Sequence, residues 1–477
     1  MGERYKDQKW KNAMRVRVDV NNMFEEYIGK EHGIKLKEVD GMAGAIKKAH
    51  QNINRQYDKG ELGFIGLPDS QEEAVDQIER YVKENKQDVE NLVILGIGGS
   101  ALGSIALQTA LKDAYHNLKE KDDVPNIFVP DNVDPERFKS LLETIDLKKT
   151  VFNVISKSGT TAETMSLFLI ARKLVEEEVG LDKISNHFIA TTSKDSGYLR
   201  VIAQREGFKM FYIPDNVGGR FSVLTPVGLV YAAFAGINIR ELLAGAAYMK
   251  ELCSSPNVWE NPAYMNGTLQ YLAYQNGKKM SVMMPYAHAL KDVADWYRQL
   301  WAESLGKEKS RDGEIVNVGP TPIKALGATD QHSQAQLYME GPYDKVVNFI
   351  EVEKFDIDLK IPDIYKDIEG VSYLRNKSLA DLLNTEKKAT ELALTERERL
   401  NSTIIVPEIN EFTMGQLFYL FEMQTALVGE LFNIDAYNQP GVELGKNYTY
   451  GVFGRAGYQD MKEEYFNRPD KKGKYII

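Results

Sequence analysis

The sequence predicts an α/β protein built as two α/β/α sandwich domains with parallel or mostly parallel sheets. A helical arm precedes them and a helical tail follows. Three observations carry this expectation. The chain has 477 residues, too many for one ordinary hydrophobic core. Short apolar strands alternate with helices through the first half, which implies a parallel sheet with right-handed crossovers. The second half shows the same alternation, although no repeat is visible residue by residue. The expected boundaries are 1–60 for the arm, 61–237 and 238–446 for the two domains, and 447–477 for the tail.

Residues 1–60 are charged and helical in pattern. Met42, Ala45 and Ile46 stand at i, i+3 and i+4 and mark one buried face. The opening stretch MGERYKDQKWKNAM has no apolar core, so no signal peptide is expected. Ser70 to Glu73 reads as a capping box opening a helix with Ala74, Ile78 and Val82 on one face. Leu92 to Leu95 is a strand that runs into Gly96-Ile97-Gly98-Gly99-Ser100 and then a helix. Strand-like Asn126 to Val129 follows, then a helix from Pro135.

The stretch from Phe152 to Thr164, FNVISKSGTTAET, has an apolar front through Ile155 and reads as a buried strand. Its back half gathers Ser156, Ser158, Thr160, Thr161 and Thr164 around Gly159 and Lys157, just before a helix. Free N–H groups at a helix N-terminus attract anions, and hydroxyls add donors without competing charge. One N-cap needs one hydroxyl, and this loop offers five. It is expected to cradle a compact multi-oxygen anion, most simply a phosphate. HFIATT and KMFYIP are two further strands. Both polar loops sit at strand C-termini, where parallel sheets place ligands.

Gly218-Gly219-Arg220 follows. Two glycines allow close backbone approach, and an arginine beside them suits an oxyanion. The helices from Ile239 to Gly277 read as packing, and KMSVMMP as a strand. A helix over about His288 to Leu305 carries Gln299 and Glu303 at i and i+4, hence on one face. Trp296 and Trp301 read as core or interface fillers. Thr329-Asp330-Gln331-His332-Ser333 opens another helix. KVVNFIEVE is a strand, and Ser378 to Leu400 a charged helix with Glu391, Glu396, Arg397 and Arg399 on a solvated face. STIIVPE is a strand and MGQLFYLFEMQTALVGELF a strongly apolar helix. The loop Asp435 to Gly441 leads into a helix at VELGK, which includes Lys446.

Composition narrows the classes. Hydrophobic residues make up 43% and charged residues 27%, ordinary for a globular protein. A net charge of −10 argues against nucleic-acid binding, which needs a basic face. An anionic ligand must therefore find a local positive pocket. The single cysteine, Cys253, permits no intramolecular disulfide and reads as a small apolar filler. No window approaches a membrane span, and a cytoplasmic location is expected. Gly96-Ile-Gly98-Gly-Ser-Ala101 imitates a dinucleotide fingerprint, but the acidic residue expected ~20 positions on is missing.

Taken together, GIGGSALG, SKSGTT, NVGGRFSVLTPVG, the Gln299/Glu303 helix, TDQHS and AYNQPGVELGK resemble the phosphoglucose isomerase family, in order and over about residues 60 to 450. The resemblance implies two sugar-isomerase (SIS) domains and a homodimer with the active site between domains and subunits. It implies interconversion of glucose 6-phosphate and fructose 6-phosphate through ring opening and a cis-enediol(ate), a step of glycolysis and gluconeogenesis, with no cofactor and no metal. It also implies roles. Gly98 and Ser100 line the sugar pocket, and Ser156, Lys157, Ser158, Thr161 and Thr164 hold the phosphate. Arg220 supports the enediolate, Glu303 moves the proton, His332 and Lys446 handle ring opening, and Gln299 and Gln439 contact substrate. Two positions depart from the family: Leu305 where many relatives have Asn, and Pro440 where many have Trp.

The chemistry asks for these residue types. Ring opening needs an acid and a base, which a His and a Lys can supply. Proton transfer between neighbouring carbons needs one carboxylate that reaches both. The intermediate carries negative charge on oxygen, which a fixed Arg lowers in energy. A remote phosphate site positions the reacting end.

Overall fold

The computed structural model describes residues 3–119 and 124–477. Met1 and Gly2, the first two residues of the polar opening stretch, lie outside the described residues. Two five-stranded sheets organise the chain, as the α/β expectation requires. The first contains β2 (Asn91–Leu95), β3 (Asn126–Phe128), β4 (Thr150–Ile155), β5 (Phe188–Ser193) and β6 (Lys209–Ile213). Its order is β3-β2-β4-β5-β6 and every pairing is parallel. β2, β4 and β5 are buried at every residue, so they read as continuous apolar runs rather than alternating ones. The chain leaves β2 for β3 on one side and returns to β4 on the other. The switch point therefore lies between β2 and β4, and their carboxyl ends carry the Gly98 loop and the Ser156 loop.

The second sheet has the order β1-β12-β11-β7-β10. β7 (Met280–Pro285), β10 (Thr321–Lys324), β11 (Lys345–Val352) and β12 (Asn401–Val406) are parallel. β1 (Arg17–Asp19) pairs antiparallel with β12, Val18 opposite Ile404. The arm expected to be purely helical thus supplies an edge strand to the second sheet. Three residues are too few to show an alternating pattern. A two-stranded hairpin of β8 (Lys307–Lys309) and β9 (Ile315–Val318), and β10 itself, also have no strand signal of their own. All three are short: β8 is wholly charged, β9 is an Ile-Val-Asn-Val run too brief to stand out, and Pro322 in β10 is tolerated on a sheet edge.

Helices cover both sheets. The ones that matter below are α1 (Glu72–Asn85), α2 (Leu102–Leu111), α3 (Ala162–Val179), α4 (Lys291–Leu305), α5 (Leu379–Glu396), α6 (Glu411–Leu431) and α7 (Glu443–Val452). α6 is buried from Phe412 to Gly429, wrapped by the helices Ile239–Leu252 and Pro262–Gln275, by Ala43–Asp58 of the arm, and by α4. A helix apolar all round is buried all round. Trp296 and Trp301 of α4 are core residues, and Trp296 packs edge-on against Phe418 of α6. Cys253 is buried, and burial pushes its thiol up to about 12, so it is inert packing as expected. No helix of the described residues is long and apolar enough to cross a membrane.

Several local expectations are corrected, the first on the arm, where Ala45 is exposed and the buried face is Ile46, Ala49 and Ile53. The capping box at Ser70 is not made: Ser70 closes a preceding short helix, Leu67–Ser70, and Gln71 stands at the N-cap of α1 without a side-chain bond. The buried face of α1 is Val75, Ile78 and Val82, with Ala74 only half-buried. Arg399 is not on a solvated face. α5 ends at Glu396, Glu398 turns the chain at φ +55°, and Arg399 is buried, donating to the carbonyls of Pro342 and Met339 at 3.0 and 2.9 Å. Finally, no metal-ligand cluster is legible in the sequence, yet the fold brings Glu31, His32 and Glu398 within 4.8 Å of one another. None of the three lines the cavities described next.

Candidate active site

The glycine loop after β2 is held by its neighbours. Gly98 has φ +55°, and a Cβ there would lie 3.0 Å from Nε2 of Gln299. A Cβ on Gly99 would lie 2.2 Å from the carbonyl carbon of Gly219. Only glycine lets this loop, which ends at Ser100, close against both α4 and the Gly219–Phe221 turn. Three of the predicted segments are thereby brought into contact.

Arg220 sits at the centre, only 3% exposed. Its Nε donates to Ser304 Oγ at 2.7 Å and its Nη1 to Gln439 Oε1 at 3.1 Å. Nη2 donates to the carbonyls of Ala436 and Asn438 at 2.7 and 3.1 Å. Burial pulls its guanidinium down from the ordinary value, while Glu303 and Asp435 oppose that shift. Nη1 also lies 3.4 Å from Oε1 of Glu303. The other oxygen of Glu303 accepts from Gln299 Nε2 at 3.0 Å, across one turn of α4. Glu303 is 26% exposed and faces a cavity of about 720 Å³ shared with Gln299, Lys307, Gln439 and Pro440. A half-open carboxylate fixed by one cation and one amide suits a group that must take up and return a proton.

The hydroxyl loop is folded on itself. Ser156 Oγ accepts from the Gly159 N–H at 3.0 Å and lies 3.1 Å from Thr161 Oγ1, while Ser158 and Thr160 pair at 2.8 Å. Thr161 is the N-cap of α3 and makes no cap bond, so its hydroxyl is not spent on the helix. The Thr164 hydroxyl is buried and has no hydrogen-bond partner among the described residues. Ser158, Thr160 and Thr161 line a cavity of about 290 Å³ with Lys446, Glu443, Thr449 and Tyr450. α7 therefore closes over the loop, and Tyr450 donates to the Thr160 carbonyl at 3.3 Å. Lys446 pairs with Glu443 at 2.9 Å. Lys157 donates instead to the carbonyls of Asp215 and Val217, at 2.5 and 3.2 Å, tying the loop to the segment that carries Arg220. Gln439 in one cavity and Lys446 in the other are linked by the short run of chain that opens α7.

His332 lines neither cavity. It ends the turn Thr329–His332 and is exposed, at the edge of the second sheet. Of the two departures, Leu305 is fully buried beneath Gly429 and does not reach the cavity, whereas Pro440 is part of its wall. A third cavity, of about 680 Å³, lies at the opposite end of α4 around Thr109, Lys291 and Asp292 and holds none of the predicted site residues. Two residues of the site carry a signal the sequence reading passes over. Ser304 sits beside Glu303, and Lys307 directly follows the glycine that ends α4, a place where lysine caps helix carbonyls.

The family described as phosphoglucose isomerase matches residues 73–467. A protein named glucose-6-phosphate isomerase from Carboxydothermus hydrogenoformans is 46% identical over 466 residues, covering 97% of this chain and 100% of the relative. Another of that name, from Rubrobacter xylanophilus, is 42% identical over 93% of this chain and 100% of the relative. Among solved structures, a hypothetical protein from Thermus thermophilus superposes with a TM-score of 0.82 at 35% identity, over 92% of this chain and 100% of that one. A glucose-6-phosphate isomerase from Chlamydia trachomatis gives 0.71 at 25% identity, over 83% and 76%.

Proposed function

The chain belongs to the phosphoglucose isomerase family, and from that premise we propose how its residues share the work of a reaction the family defines. The protein is an aldose–ketose isomerase that interconverts glucose 6-phosphate and fructose 6-phosphate, a step of glycolysis. Glu303 carries the proton between C1 and C2. Arg220 lowers the energy of the enediolate oxygen, and Gln299 and Gln439 hold the carboxylate and the guanidinium in register. Gly98 and Ser100 give the sugar a close backbone wall. The hydroxyls of Ser156, Ser158, Thr161 and Thr164 take the phosphate, while Lys157 orders that loop from behind. Lys446 and His332 open the ring. The observation that carries this reading is the 3.4 Å approach of Glu303 to a buried, four-times-bonded Arg220 at the mouth of one cavity. Residues 61–237 and 238–446 are the two sugar-isomerase domains in this reading, and Arg220 of the first reaches Glu303 and Gln439 of the second. A cytoplasmic location is part of this reading.

Phosphate binding by the hydroxyl loop has a direct consequence. Ser156→Ala combined with Thr161→Ala should raise KM for the sugar phosphate, each donor lost to a charged oxygen costing roughly 1.5–3 kcal/mol. Steady-state kinetics with fructose 6-phosphate checks this, and wild-type KM and kcat in the double variant would remove the loop from the site.

The site is shared between two copies of the chain in this reading, with His332 of each entering the cavity of the other. The support is that His332 lines neither cavity of its own chain. Inactive His332→Ala mixed with inactive Glu303→Gln should regain activity, because each heterodimer holds one intact site and one doubly damaged site. No recovery after verified subunit exchange counts against a shared site.

A further inference from the structure

We infer that Lys307 is a positioning residue of this isomerase: its ammonium clamps the end of the helix that carries Glu303 to the loop that carries Gln439. The inference rests on the reading of Glu303 as the base. Lys307 opens β8 just past Gly306, and it is only 8% exposed. Its Nζ donates to the Glu303 carbonyl at 2.7 Å and to the Asn438 carbonyl at 2.9 Å. The first contact caps the last turn of α4, where a cation also meets the negative end of the helix dipole. The second fixes the residue immediately before Gln439. Arg220 reaches the same Asn438 carbonyl at 3.1 Å, so two buried cations hold one loop from two sides. Among the described residues no other hydrogen bond ties the backbone of Glu303 to the loop of Gln439, so without Lys307 that loop keeps only the Arg220 bonds and the packing of Ala436 and Tyr437.

The groups that face Lys307 set how firmly it holds its charge. Burial acts first and the positive Arg220 second, and both favour loss of the proton. Asp435 and Glu303 favour keeping it, and Arg298 and Glu308 line the same cavity wall. The balance brings the ammonium down to about 8. Charge-assisted bonds are about twice as strong as neutral ones, so the clamp slackens when the proton leaves. Arginine in the same place stays protonated.

The test uses the full-length enzyme and two variants. Lys307→Met keeps the apolar stem and removes the clamp. Its kcat should fall by up to about 10²-fold, the cost of misplacing a reacting group by roughly 1 Å, while KM changes less. Lys307→Arg should restore most of the lost rate. In the wild type, kcat/KM should decline as pH rises through about 8. In Lys307→Arg that alkaline limb should move up by about a unit or more, a shift that a purely structural lysine does not produce. Wild-type kcat in Lys307→Met, or an unshifted alkaline limb in Lys307→Arg, overturns the clamp. If Lys307→Met does not fold, the limb of Lys307→Arg decides alone. Glu303→Gln measured alongside separates the two readings. Wild-type activity in Lys307→Met removes the clamp and leaves the base, whereas wild-type activity in Glu303→Gln removes the base itself.

Discussion

Glu303→Gln is expected to lower kcat by at least ~10²-fold with little change in KM. The substitution keeps the size of the side chain and its ability to accept from Gln299, whose Nε2 lies 3.0 Å from Glu303 Oε2. It removes the ability to take up a proton. It also removes the charge that Arg220 faces at 3.4 Å, without adding bulk to the cavity. In the proposed assignment substrate binding rests on other groups, chiefly the hydroxyl loop, so KM has little reason to move. Ring opening is assigned to His332 and Lys446 and should survive. The decisive measurement is therefore not turnover alone but exchange of the substrate C2 hydrogen with deuterated water, followed by NMR. Exchange at the wild-type rate in Glu303→Gln would assign the base to another residue.

Much of this site is legible in the chain because its loops announce themselves locally. Two glycines before a serine, five hydroxyls before a helix and two glycines before an arginine each have a reason that needs no distant partner. The first sheet is equally legible, since its buried parallel strands are unbroken apolar runs. What escapes is whatever only distant contacts decide. Arg17 to Asp19 form a strand because β12 offers an edge, not because three residues favour one. Arg399 reads as surface in a charged helix, yet the turn at Glu398 folds it under two carbonyls. The contacts of Lys157 with the carbonyls of Asp215 and Val217, some sixty positions on, are likewise invisible in the loop of five hydroxyls where it stands.

The role of Lys307 is hidden for the same reason. Its sequence neighbours show a lysine after a helix-ending glycine, and nothing local links it to Asn438, which lies 131 positions on. Leu305 shows the reverse case. A departure from the family two positions past the proposed base suggests an altered pocket, yet helix geometry turns that side chain into the core against Gly429. Residues two apart on a helix point about 200° apart, so closeness to Glu303 in sequence says little about access to the cavity.

Arg220→Met should give the second large loss. Removing one fixed donor to a developing oxyanion typically costs about 10²–10³ in kcat. Here the same side chain also holds the loop of Gln439, so the effect on the rate belongs at the upper end. Truncation leaves the carbonyls of Ala436 and Asn438 without this donor, at about 1–3 kcal/mol for each acceptor left buried and unsatisfied. Lys307 still serves Asn438, so the Ala436 carbonyl bears the full loss. The melting temperature should therefore fall together with kcat. Arg220→Lys separates the two causes. It keeps the charge but cannot reproduce a fork that reaches Ser304, Gln439 and two carbonyls at once. If charge at the enediolate dominates, Arg220→Lys should recover much of kcat while its melting temperature stays low. If the fork dominates, kcat and stability should remain low together. A wild-type kcat in Arg220→Met would show that this arginine serves the fold alone, and that the enediolate is stabilised elsewhere in the cavity.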